Sequence, residues 1–198
     1  MMATDATTGP AGLEAIVIGA SAGALEALSQ VLPALPGGFP LPIMVVVHLP
    51  ADKKSIFAEL LRARCAIDVR EAEDKEVMQP ATAYFAPPDY HLLAESDGSL
   101  SLSADEPVLY SRPSIDVLFE SAAEVYGGRL IGIILTGANN DGAAGVRAIC
   151  AAGGRVIVQN PATAFASAMP EAAIEACSTA EVLLLDEITQ RLVQAVAA

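Results

Sequence analysis

The chain has no tryptophan, two histidines, three cysteines and only 11 lysines and arginines among its 198 residues, and each scarcity narrows what it can be. Against 24 acidic residues, the basic ones leave a formal net charge of −13. No basic patch able to neutralise phosphates is visible, so nucleic acid is not an expected partner. The same balance disfavours anionic membrane surfaces. No apolar run approaches the ~18 residues that span a bilayer, so membrane insertion is not expected either. His48 and His91 are the two candidates for imidazole chemistry. There is no HExxH, CxxC or comparable ligand spacing, so neither a metal nor another cofactor is expected. Cys65, Cys150 and Cys177 are odd in number and not closely paired, which reads as reduced thiols in a cytoplasmic protein. Residues 1–12 contain Asp5 but no Lys or Arg, unlike a secretory signal. They are expected to form a flexible tail, ahead of one domain over residues 13–198.

What the chain does have is apolar sequence, 53% against 18% charged, enough to bury a core and to exclude disorder over most of its length. Ala15–Gly19, Ile43–Val47 and Ile131–Leu135 are short runs of aliphatic residues, the pattern of strands buried on both faces of a parallel sheet. A helix is expected from about Ala24, with Leu25, Leu28 and Leu32 facing the sheet, and another with Ile56, Phe57, Leu60 and Leu61 as its apolar positions. This βαβα alternation indicates an α/β domain. The middle third reads as short strands and a hairpin, including Thr82–Phe85, His91–Ala94 and Leu100–Leu102, forming an antiparallel extension at one edge. Helices over Ile115–Tyr126 and Gly145–Ala152, strands Val156–Gln159 and Val182–Leu185, a helix near Pro170 and a terminal helix Ile188–Ala197 complete the reading.

Ser21, His48 and Asp141 each follow one of the three apolar runs, the last after a short loop. In an open parallel sheet, ligands bind beyond the carboxyl ends of the strands. A hydroxyl, an imidazole and a carboxylate at that edge are the parts of a serine hydrolase. Gly19-Ala20-Ser21-Ala22-Gly23 fits G-x-S-x-G, the elbow that exposes a nucleophilic serine at a strand-to-helix turn. Alone, this motif fits a tight turn or a dinucleotide loop equally well. A dinucleotide site, however, expects a carboxylate where the second strand ends, and His48 stands there. Alone, Asp141 is also a helix N-cap within Asn139-Asn140-Asp141-Gly142. The order Ser, His, Asp differs from the Ser, Asp, His of α/β-hydrolases.

Six ordered blocks resemble the catalytic domain of the chemotaxis protein-glutamate methylesterases (CheB-type). They are Ile18–Gly23, Val47–Pro50, Tyr84–His91, Arg112–Phe119, Ile134–Ala143 and Ala168–Ala172. The resemblance implies a doubly wound parallel α/β sheet with helices on both faces and an antiparallel hairpin at one edge. It implies hydrolysis of glutamate γ-methyl esters on chemoreceptor cytoplasmic helices with release of methanol, and deamidation of receptor glutamines. By motif position Ser21 matches the nucleophile, His48 the general base and Asp141 the acid that orients it. Arg112 is expected to recognise the product carboxylate, with a surface ion pair or a helix-start contact to Asp116 as the alternative; Met169 and Phe165 are expected to line the pocket, with simple packing as the alternative, and His91 is expected to be structural or peripheral. The chain departs from the family in Ala24, where a second glycine is usual, and in Gly137-Ala138-Asn139, where many members have Gly-Met-Gly. Twelve residues before Leu13 do not encode the usual receiver domain, so a stand-alone enzyme is expected. The alternative reading is a non-catalytic adaptor of the same fold that binds a receptor or kinase.

Overall fold

The computed structural model describes residues 12–48 and 57–197. The tail expected over residues 1–12 therefore lies outside the described residues except for Gly12, as do Leu49, Pro50 and Ile56. Strands β1 (Ala15–Ala20), β2 (Ile43–Val47), β3 (Asp68–Glu71), β4 (Thr82–Phe85), β7 (Leu130–Ile134), β8 (Arg155–Gln159) and β9 (Glu181–Leu183) form one sheet. Its order is β3-β4-β2-β1-β7-β8-β9, and every neighbouring pair is parallel. Hairpin β5 (His91–Ala94) and β6 (Leu100–Ser103) pairs antiparallel as a separate two-stranded sheet. It packs on helix α3 (Ile115–Tyr126), where the Ser121 hydroxyl accepts the Ala94 N–H. Thr82–Phe85 belongs to the main sheet rather than to the antiparallel extension.

The apolar runs are continuous because both sides of each strand meet helices. Along β1, Ile16, Ile18 and Ala20 join a core with helices α1 (Ala24–Val31), α2 (Phe57–Arg62) and α6 (Leu185–Ala197). Ala15 and Val17 point the other way, into a core with α3, α4 (Ala143–Ala151) and α5 (Ala168–Ala176). Two expected core positions face outward instead: Leu25 is 41% and Leu60 45% exposed. Helix α1 buries Ala24, Ala27, Leu28 and Val31, leaving Leu25 off its buried stripe. Both leucines line the cleft beside Ser21.

Strand β1 is where the winding reverses: β2 lies on one side and β7 on the other, and successive units build outward from them. The crevice at such a switch point is the usual ligand site of an open α/β sheet. Ala20 and Val47 are register partners, so Ser21 and His48 leave adjacent strands at the same level. The His48 N–H donates to the Ala20 carbonyl at 3.1 Å.

The reduced state expected for all three cysteines is corrected for two of them. Cys150 at the end of α4 and Cys177 just after α5 are disulfide-bonded, with Cα atoms 6.1 Å apart, while Cys65 is free. Spacing in the sequence hid the pair because two packed helices bring together thiols 27 residues apart. No helix among the described residues is long and apolar enough to cross a membrane.

Candidate active site

Ser21 sits on a backbone turn held at both ends. Its N–H donates to the Thr136 carbonyl, and its own carbonyl accepts from the Ala24 N–H, each at 2.9 Å. Gly23 closes the turn at φ 84°, in left-handed space, and a Cβ there would meet Phe165 at 2.6 Å. Glycine alone satisfies both constraints. Helix α1 begins at the next residue, so its first N–H groups and the positive end of its dipole lie beside the serine.

His48 and Asp141 meet across the strand ends. His48 Nε2 lies 2.6 Å from Asp141 Oδ2, with the carboxylate fully buried and the imidazole 11% exposed. A carboxylate accepts and does not donate, so Nε2 carries the proton and the Nδ1 lone pair remains for other work. This reverses the serine-protease triad, in which Nδ1 faces the carboxylate.

Asp141 is also a helix cap, though not of the helix expected. Its Oδ2 accepts the Ile115 N–H at 2.8 Å, and its Oδ1 accepts the Asp116 N–H at 3.0 Å and the Ser114 hydroxyl at 2.9 Å. These backbone donors belong to the first turn of α3, whereas Asp141 immediately precedes Gly142 and α4. Asp116 returns the exchange: its Oδ1 accepts the N–H of Gly145, in the first turn of α4, at 2.7 Å. Each helix start is thus capped by a carboxylate from the other, satisfying donors that would otherwise be orphaned. The α3–α4 approach is close enough that a Cβ on Gly145 would overlap Phe119.

Cross-capping separates the two carboxyls electrostatically. Burial pushes Asp141 up, but the hydrogen bonds from His48, Ile115 and Asp116 and the histidine charge outweigh it and hold the carboxyl below its ordinary value. Burial also pushes Asp116 up, and despite the Gly145 N–H the charges of Asp141 and Glu120 help raise it to about 6. The residue facing His48 is therefore the one kept ionised.

His91 has a structural role, at the start of β5 rather than in a turn. It is buried, its Nδ1 accepts the Ser114 N–H at 3.1 Å, and its Nε2 is 3.2 Å from the Glu106 carbonyl. It thereby holds Ser114, whose hydroxyl holds Asp141. Ser114 sits within a block that marks the family resemblance, but nothing in its spacing reveals which carboxylate its hydroxyl binds.

Arg112 makes no hydrogen bond to the triad among the described residues. Its guanidinium donates to the carbonyls of Ala104 at 3.0 Å and Asp105 at 3.1 Å and lies 4.0 Å from Asp89, so it ties together the loops around the β5–β6 hairpin. Its hydrogen bonds go to those carbonyls rather than to Asp116. Met169 is buried: its N–H donates to the Gly137 carbonyl, and its side chain fills the space where a Gly137 Cβ would lie. It braces the Thr136–Asp141 loop from behind. Phe165, 77% exposed, does stand at the cleft, where a volume of about 810 Å³ runs from Ser21 past Leu25, Phe57, Leu60 and Arg64. Among the described residues of that wall, Arg64 is the basic one. A smaller volume of about 400 Å³ opens on the other side of Gly23 and Phe165, toward Gln159 and Asp186.

Among the described residues, no group of three or more His, Cys, Asp or Glu is arranged to hold a metal ion. A profile of the CheB methylesterase family matches residues 16–192. A Leptospira interrogans protein provisionally named protein-glutamate methylesterase/protein-glutamine glutaminase is 49% identical over 181 residues, covering 91% of this chain and 94% of its own length. The Bordetella parapertussis protein-glutamate methylesterase/protein-glutamine glutaminase is 42% identical over 89% of this chain, which spans about half (51%) of that relative. The crystal structure of the Thermotoga maritima CheB methylesterase catalytic domain superposes with a TM-score of 0.87 at 33% identity, covering 92% of this chain and 98% of that one. With the doubly wound sheet expected of that fold in place and the profile spanning nearly its whole length, the chain belongs to the CheB methylesterase family.

Proposed function

We propose that the protein is a serine esterase that demethylates glutamate γ-methyl esters on the cytoplasmic helices of chemoreceptors, with Ser21 as nucleophile, His48 as base and Asp141 as the acid that orients it. One observation carries this reading: an ionised, fully buried carboxylate hydrogen-bonded to a histidine beside a serine elbow at the switch point of the sheet. An adaptor has no use for a carboxylate held charged at that cost in burial.

Ser21 Oγ attacks the ester carbonyl carbon while its proton passes to His48 Nδ1. The oxyanion that forms lies at the start of α1, where backbone N–H groups and the helix dipole favour negative charge. His48 returns the proton to the departing methoxide, releasing methanol and leaving a glutamyl ester on Ser21. Water then attacks with His48 as base, giving the free serine and a receptor carboxylate. The same sequence on glutamine expels ammonia, which is deamidation. Among the described residues that line the cleft, Arg64 is the cation available to a product that has gained a negative charge. The apolar wall of Leu25, Leu60 and Phe165 suits the hydrocarbon face of a receptor helix. A cytoplasmic location follows from that substrate rather than from the cysteines.

A fluorophosphonate probe tests the nucleophile without a receptor. One covalent adduct, mapped to Ser21 and absent from Ser21→Ala, is expected. A folded wild-type protein that forms no adduct would overturn the assignment.

A further inference from the structure

We infer that Asn139 is a positioning residue that caps the basic nitrogen of His48 between turnovers and must release it before Ser21 can be activated; this rests on the catalytic roles proposed above. The Asn139 amide nitrogen lies 3.3 Å from His48 Nδ1. Its orientation is fixed by its other end, because Oδ1 accepts the Asp141 N–H at 3.2 Å and so turns the NH₂ group toward the imidazole. The imidazole is equally constrained. Nε2 faces the Asp141 carboxylate and carries the proton, so Nδ1 offers a lone pair to the amide donor.

Nδ1 has one lone pair and two claimants. In catalysis it accepts the Ser21 proton, yet among the described residues its hydrogen-bond partner is Asn139. The two donors exclude each other, so an activated serine requires a displaced amide. Asn139 can move: it is only partly buried, in a loop where Ala138 and Asn140 are exposed. The amide thus acts as a brake on the histidine that it contacts.

Two variants separate capping from loop structure. Asn139→Ala removes both amide contacts, whereas Asn139→Ser keeps a short acceptor for the Asp141 N–H and withdraws the donor from His48. Nitrogen NMR of the imidazole rings in mildly alkaline solution reads the contact directly. His91 serves as reference, because its Nδ1 accepts from Ser114 instead. The His48 Nδ1 signal should move toward that of an uncapped lone pair in both variants, with His91 unmoved. Fluorophosphonate labelling of Ser21 should accelerate about fivefold, the rate equivalent of one ordinary hydrogen bond of about 1 kcal/mol. An unmoved His48 signal, or labelling unchanged or slowed in Asn139→Ser, would overturn the inference. If wild-type Ser21 also failed to label, the nucleophile assignment would fall and take the release step with it, while the NMR arm would still decide whether the cap exists.

Discussion

Replacing Asp141 by asparagine changes one atom in a site where four donors converge on two oxygens, and the outcome can be worked out oxygen by oxygen. If the new NH₂ group takes the Oδ1 position, it faces the Asp116 N–H, and two donors oppose each other. If it takes the Oδ2 position, it faces the Ile115 N–H and His48 Nε2. His48 can then relieve the conflict only by moving its proton to Nδ1, the nitrogen required as base. Either orientation leaves a buried donor unsatisfied, at a cost of about 1–3 kcal/mol. For a domain of this size that lowers Tm by roughly 3–10 °C. The second orientation also enforces the wrong tautomer, which in a serine protease costs about 10,000-fold in kcat. Methanol release and thermal melting, measured on the same preparation, should therefore show Asp141→Asn both destabilised and inactive by three to four orders of magnitude. Ser21→Ala should be inactive with an unchanged melt. Activity of Asp141→Asn within about tenfold of wild type would refute the tautomer argument.

Two further predictions rest on other parts of the fold. Asp116 titrates near 6 in the folded protein, above the 3.8 of an ordinary aspartate. Between those values the folded state holds a proton that the unfolded chain has lost, so this part of the stability is present at low pH and is lost as pH rises through 6. Asp116→Asn, neutral throughout, should gain about 1–3 kcal/mol on wild type between pH 4 and pH 7.5 in urea titrations; a pH-independent difference would contradict it. At the turn between Val108 and Ser111, Leu109 and Tyr110 both adopt positive φ, 48° and 64°, with Tyr110 fully exposed. Such a turn suits Asn-Gly, so Leu109→Asn with Tyr110→Gly should stabilise the protein by about 1–2 kcal/mol without changing activity. An unchanged or lower urea midpoint would show that the turn carries no strain.

The parts of the fold and site readable from sequence were those carried by uninterrupted apolar runs. Ala15–Gly19, Ile43–Val47 and Ile131–Leu135 announce strands buried on both faces, and the polar residue after each falls at the sheet's functional edge because parallel strands all end there. The cross-capping of α3 and α4 was hidden, since Asn139-Asn140-Asp141-Gly142 reads as the N-cap of its own helix, and only tertiary packing turns Asp141 toward Ile115 and Asp116. Arg112 lies in a block that marks the family resemblance, but its contacts with the carbonyls of Ala104 and Asp105 follow from the placing of the loop after β6, which spacing does not encode. Arg64 was passed over because nothing in its surroundings distinguishes it from a solvated charge until α2 is set against the cleft. The Cys150–Cys177 bridge likewise depends on helix packing that spacing does not encode. The contact of Asn139 with His48 became visible only in three dimensions.

The central claim is that Ser21 hydrolyses receptor methyl esters, and methanol release from a methylated chemoreceptor cytoplasmic domain tests it most directly. Wild type should release methanol and leave free glutamate carboxylates, while Ser21→Ala, equally folded, should release none. Release by Ser21→Ala at the wild-type rate would contradict the account, since the ester would then be cleaved without the serine on which every step depends.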